Sequence, residues 1–168
     1  MKKDLATIFG LFLLIVVLVV FFKPFTSGVF FIPTQATPSA SLRGTTRVVA
    51  GDLIIDAKIA SKPSDRKKGL SGLDSLPLSS GMLFVFDKSG PYVFWMKDVK
   101  FSIDIIWIDE NMRIITIAPY AAPEKGKSDD ELTLYKPTAP AKYVLEINAG
   151  LSNLHGLKVG DLVDFDLK

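Results

Sequence analysis

The stretch Phe101–Ala118, FSIDIIWIDENMRIITIA, decides the fold class. Two runs rich in β-branched and aromatic residues, Phe101 to Asp109 and Met112 to Ala118, flank Glu110 and Asn111, which is the pattern of two strands joined by a tight turn. Strand side chains alternate between faces, so Asp104 falls on the same side as Ile106 and Ile108 rather than with other polar groups. A carboxylate on an apolar face is costly unless it is hydrogen-bonded or paired. It either ties down a loop through backbone N–H groups or contacts a ligand, with Lys97 as a candidate partner. On the scaffold reading, Asp104→Asn is expected to be tolerated and Asp104→Leu to destabilise.

Outward from this pair the same period recurs. Leu53 to Ala60, LIIDAKIA, sets Leu53, Ile55, Ala57 and Ile59 against Asp56 and Lys58, with Arg47 to Ala50 as its hairpin partner across Gly51 and Asp52. Met82 to Phe86 and Tyr92 to Met96 read as an aromatic hairpin around Asp87 to Pro91. Lys142 to Ile147 and Leu162 to Leu167 resume strand character. Pro63 to Leu70 reads as a short helix, with proline in its first turn and lysines before Gly69, and Leu151 to His155 as a second one ended by Gly156. Pro119 to Pro140 breaks the pattern with four prolines and the charged run Glu124 to Glu131, a long connection of the functional or mobile kind. Gly81, Gly150 and Gly160 read as turn glycines. Seven or eight short strands with two short helices imply a mainly β domain, a compact, partly closed β barrel or sandwich.

Ahead of this domain, Leu5 to Phe22 is eighteen residues without a charge, enough for a helix to cover roughly 27 Å of hydrocarbon. Lys2 and Lys3 before it, against Lys23 after it, favour a cytoplasmic N-terminus. The expectation is a single-pass anchor over residues 1–32, a flexible Pro/Ser/Thr/Ala linker over 33–46, and an extracytoplasmic domain over 47–168, with the bilayer as partner through residues 5–22. A cleaved signal peptide is the alternative, but the small residues of Ala36 to Ser41 lie too far beyond Phe22 for a normal cleavage site.

Composition excludes several chemistries. There is no cysteine and one histidine among the 168 residues, which removes thiol nucleophiles, thiolate metal sites and disulfides and disfavours a transition-metal centre. The 20 Lys and Arg and 18 Asp and Glu include Lys2, Lys3, Asp4 and Lys23 of the apolar N-terminal region, so the remainder is formally neutral. It lacks the basic footprint of a nucleic-acid partner. No P-loop or dinucleotide glycine pattern occurs, and no cofactor or metal is expected.

Gly69-Leu70, then Gly81-Met82-Leu83-Phe84, Phe94-Trp95-Met96-Lys97 and Ile103-Asp104-Ile105, followed by KYVLE at Lys142 to Glu146, NAG at Asn148 to Gly150 and GLKVGD at Gly156 to Asp161, together resemble the family catalogued as domain of unknown function 192. The resemblance covers about Leu53 to Phe165. It implies a small prokaryotic domain, often behind a signal or anchor, with no agreed biochemical activity. The chain departs from the pattern at Ser71, Leu73, Asp98, Val99 and Ser102, where the family commonly has Met, Arg, Asn, Thr and Pro.

The candidate ligand-binding residues are Trp95, Lys97, Asp104 and Glu146, and Asp104 and Glu146 are also the candidate catalytic pair. Glu146 alternates with Val144 and Lys142 against Tyr143, Leu145 and Ile147, so its simplest reading is a solvated strand face. Trp95 reads first as core and otherwise as a stacking platform beside Lys97. His155, at a helix end, reads as a capping or surface group rather than as part of a Ser-His-Asp triad. The expected function is a non-catalytic binding or interaction module for an envelope protein, peptide or glycan. A carboxylate-based hydrolase or lyase using Asp104 with Glu146 or Lys97 is the second reading, and a structural subunit of a membrane complex the third.

Overall fold

A computed structural model of the chain describes residues 44–167. The expected membrane helix Leu5–Phe22, and the linker up to Arg43, lie outside them. No helix among the described residues is long and apolar enough to cross a membrane. The elements are β1 (Thr45–Ala50), β2 (Leu53–Ala60), α1 (Pro63–Lys68), β3 (Ser80–Gly90), β4 (Ile103–Ile108), β5 (Ile114–Ala121), a 3-10 turn (Asp129–Glu131), β6 (Ala141–Asn148), α2 (Leu151–Leu154) and β7 (Val163–Asp164). β1 thus takes in Thr45 and Thr46, expected as the end of the linker.

The strands form one sheet in the order β5-β4-β6-β3-β2-β1-β7. β2 and β3 run parallel, joined through α1, as a crossover between parallel neighbours requires, and the other pairings are antiparallel. The sheet curls into a half-barrel. At one corner its outer strands meet, where Val163 N donates to Met112 O, Ile114 N donates to Asp161 O and Arg113 bridges Leu162. The domain is mainly β with two short helices.

Both faces of the sheet are covered. One apolar cluster draws on all seven strands, through Val48, Ile55, Leu83, Ile106, Ile114, Leu145 and Val163, as the inner face of a curled sheet must. The other joins Met82, Phe84, Ile105, Trp107 and Val144 to Leu70, Met96 and Val99, which lie outside the sheet. β4, with neighbours on both sides and cover on both faces, is therefore buried at every position and is apolar throughout except at Asp104. β2 keeps the expected alternation from Leu53 to Lys58, but at its end Ile59 is half-buried and Ala60 is buried against the other face.

The aromatic hairpin does not form. β3 already has β2 on one side and β6 on the other, so Tyr92 to Met96 has no free strand edge to pair with. The segment instead crosses the sheet face. Phe94 exchanges two backbone bonds with Tyr135 at 2.9 Å each, Trp107 Nε1 donates to Tyr92 O at 2.8 Å, and the Phe94 ring meets Phe84 and Trp107 edge-on at 4.9 and 5.9 Å. Aromatic packing of this geometry holds the segment down.

Asp104 is fully buried and fully bonded. Its Oδ1 accepts from Tyr120 N and Gly150 N, and its Oδ2 from Ser152 N, at 2.9 Å each, with Ser152 Oγ donating to Oδ2 at 2.6 Å. The need arises locally. Between the pairings Ile103–Ala121 and Ile105–Ala118, β5 carries one extra residue, a bulge that leaves Tyr120 at φ 56° with its N–H freed from the ladder. Gly150, at φ 87°, opens α2, whose first N–H groups have no helical acceptor. One carboxylate satisfies both places.

Because each oxygen accepts two donors, Asn can replace only one of them and would turn its amide N–H2 toward existing donors. The expected tolerance of Asn is thereby corrected. Asp104→Asn should lose on the order of 1 to 3 kcal/mol, and Asp104→Leu more, in urea melts. Gly81 likewise departs from its turn reading, since it lies within β3. A Cβ there would stand 2.8 Å from both Glu146 O and Ile55 Cγ2. Gly81→Ala should therefore cost roughly 1 to 3 kcal/mol through overpacking, read by the same melts.

Candidate functional site

Among the described residues, Glu146 carries the buried side-chain oxygen that the fold leaves without a hydrogen bond. It pairs across the sheet with Met82 of β3 and Ile105 of β4, and residues directly opposite share a face, so it points into the covered face rather than into solvent. Its residue is 5% exposed, against the solvated position expected from alternation. The expectation fails because β6 is central and its second face is roofed by residues far away in sequence. Glu146 Oε2 is buried without a hydrogen-bond partner. Desolvation in this apolar setting pushes the carboxyl up to about 8, so it is mostly protonated at neutral pH. Buried polar groups are almost always bonded in folded proteins, so an exception facing open space marks a candidate site.

That space is a cleft of about 380 Å³, within the range of roughly 300 to 1,000 Å³ typical of small-molecule sites. Phe84 and Phe86 of β3 wall it from the sheet, Phe94 and Trp95 from the crossing segment, and Leu70 from the turn after α1. Arg66, Lys67, Lys68 and Lys97 line it with positive charge. Arg66 is committed elsewhere, donating to Ser61 O and Val85 O and lying over the Phe86 ring. A second cleft of about 610 Å³ shares Lys67, Lys68, Ser71, Trp95 and Lys97 with the first and extends to Leu132 and Leu134 of the long loop.

The four sequence candidates divide between two places. Trp95 and Lys97 line the cleft with Glu146. Trp95 is 51% exposed, not core, because the crossing segment turns Tyr92, Phe94 and Met96 toward the sheet and Val93, Trp95 and Lys97 away. Lys97 pairs with Asp129, not with Asp104, and the Asp129 carboxylate holds its ammonium above the usual lysine range. Asp104 lies opposite Ile147, one position along from the Ile105–Glu146 pair, and so on the other face of the sheet. Asp104 and Glu146 cannot act on one bond, and the catalytic pairing drawn from the sequence is corrected on that ground. His155 Nδ1 lies 2.9 Å from Asp52 Oδ1, whereas the Ser152 hydroxyl is bonded to Asp104, so these residues form no triad.

Lys67, Lys68, Leu70, Phe84 and Phe86 escaped the sequence reading as site residues. The lysines looked like ordinary C-terminal helix charges. A signal did exist for the phenylalanines. Leu83 to Phe86 is apolar at both parities, which is the mark of a strand covered on both faces. Among the described residues, no three His, Cys, Asp or Glu side chains gather to hold a metal ion.

The raised Glu146 carboxyl couples stability to pH. The unfolded carboxyl titrates near 4.5 and the folded one near 8, so both states are protonated below 4.5 and no penalty applies there. As pH rises through this window the unfolded state releases its proton first, and the folded state loses stability by up to roughly 1.4 kcal/mol per pH unit. Urea melts from pH 4.5 to 8 should show this decline for the wild type, and a flatter profile for Glu146→Gln.

Comparison with known proteins places this geometry in a family. A crystal structure from Sinorhizobium meliloti, provisionally described as a transcription regulator, matches with a TM-score of 0.63 and 27% identity over 72% of this chain and 92% of that one. A protein of unknown function from Novosphingobium aromaticivorans matches with a TM-score of 0.63 and 28% identity over 71% of this chain and 83% of that one. No curated protein matches the chain. Residues 46–165 match the family described as "Uncharacterized ACR", and on that extent the chain belongs to the domain of unknown function 192 family.

Proposed function

We propose that this chain is a non-catalytic binding module, held at the outer face of a membrane by residues 5–22, which takes an envelope component into the Glu146 cleft. One observation carries the reading: a buried, unpartnered carboxyl oxygen at an aromatic-walled cleft whose exposed side holds Trp95 and lysines. A bound group that both donates and accepts would satisfy the protonated carboxyl, and an apolar body would displace water from the phenylalanine walls. Exposed indole at the mouth adds a rigid stacking surface.

Catalysis by paired carboxylates has no support in this arrangement, since Glu146 is the one carboxyl lining the cleft. The regulator description of the Sinorhizobium meliloti protein is not carried over. Beyond the apolar N-terminal region the charges balance, so the domain lacks the net positive charge that commonly marks a DNA-binding protein.

Two experiments test the reading. In a thermal-shift screen of small metabolites and glycans against the full chain, compounds that stabilise the wild type should lose their effect in Trp95→Ala and in Glu146→Leu. Stabilisation that survives both changes would overturn the assignment of the cleft. Trp95→Ala alone should alter stability by no more than about 0.5 kcal/mol, as for other exposed positions. For the topology, a protease site placed within residues 33–43 should be cut from outside intact cells, and cutting only from the cytoplasmic side would reverse the orientation.

A further inference from the structure

We propose that the Glu146 cleft binds an acidic saccharide, with the anionic substituent at Lys67 and Lys68, a ring face on Trp95 and a hydroxyl on the Glu146 carboxyl. The inference rests on the reading of the cleft as a binding site and names the class of its ligand.

Charge decides first. Four cations line the cleft against the single carboxyl of Glu146, which burial keeps mostly protonated at neutral pH. Arg66 is bonded to backbone carbonyls and Lys97 to Asp129. Lys67 and Lys68 are exposed, and neither forms an ion pair among the described residues. A cationic ligand would approach against this field, whereas an anionic one is drawn in and finds two uncommitted ammonium groups.

The deep end decides next. A protonated carboxyl offers one donor and an acceptor oxygen, and Oε2 has no partner in the fold. A hydroxyl also donates and accepts, so a sugar hydroxyl satisfies the group without bringing charge into an apolar site. Between these ends Trp95, half-exposed, borders both clefts and offers a flat face to a ring. The second cleft continues from the same residues toward Asp98, Asp129 and Leu134, so further units there meet carboxylates as well as lysines.

A peptide fits less well. Peptides commonly bind by adding a strand to a free sheet edge, but β3 is paired on both sides and the Phe94 backbone is already bonded to Tyr135. The cleft therefore offers side chains and no backbone ladder.

Calorimetry on the full chain in neutral detergent tests this with five probes: tetragalacturonate, its neutral methyl ester, glucose 6-phosphate, glucose and hexaglutamate. At least one of the two anionic sugars should bind, and comparing them separates a carboxylate from a phosphate preference. Binding should weaken at least tenfold for the methyl ester or for plain glucose, in the Lys67→Gln/Lys68→Gln double variant and in Trp95→Ala. It should weaken with rising salt. Glu146→Leu should lose at least tenfold and Glu146→Gln recover most of that loss. Hexaglutamate binding as tightly as the sugars, or no binding of either anionic sugar, overturns the saccharide class, while compounds dependent on Trp95 and Glu146 in the thermal screen would still uphold the cleft itself. Sugar binding that ignores all four variants overturns both.

Discussion

Four hydrogen bonds to the Asp104 carboxylate hold this domain in register. The group lies fully buried on β4 and accepts from the bulge of β5 and from the first turn of α2. Each of those places has backbone N–H groups that no strand or helix partner can take up. Burying a carboxylate is expensive, and the expense is offset only when its lone pairs are filled by well-aligned donors. Here they are, so the same residue fixes where β5 bends and where the chain leaves β6.

With that face closed, the opposite face of the sheet is free to carry the site. β4, β6 and β3 are adjacent and paired on both sides, so their second face must be covered by segments that are not strands. Pro91 to Val99 does this with Phe94 and Met96, and the turn after α1 does it with Leu70. Neither covers Glu146 completely. What remains is a cleft with an acid at its base and aromatic walls, and the two carboxyls of the domain that are buried serve opposite ends: Asp104 is saturated by the fold, and Glu146 is left with an unfilled oxygen. The contrast separates a scaffold acid from a candidate site acid by bonding rather than by burial, which both share.

The cations around the cleft follow from economy of placement. α1 is only six residues long and ends in Arg66, Lys67 and Lys68, where basic groups complement the exposed carbonyls of a helix C-terminus. The same position sets them beside Trp95 and Lys97. Arg66 is drawn down onto Phe86 and backbone oxygens, while its two neighbours stay in solvent and form no ion pair among the described residues.

The sequence by itself determined the elements whose signal is local. Alternation in Leu53 to Ala60, the turn between the two runs of Phe101 to Ala118, the proline and glycine that bound α1, and the lone acid among isoleucines at Asp104 all report on nearest neighbours along the chain, and the family motifs reported the identity of the domain. What only the tertiary structure decided was cover. Glu146 reads as solvated and Trp95 as core from their own strands, and both assignments reverse, because whether a side chain meets water depends on a segment some fifty residues away lying over β6. Periodicity records which residues share a face. It carries no information on what lies across from that face, and strand pairing consumed the β3 edges that Tyr92 to Met96 would have needed to form the simpler hairpin.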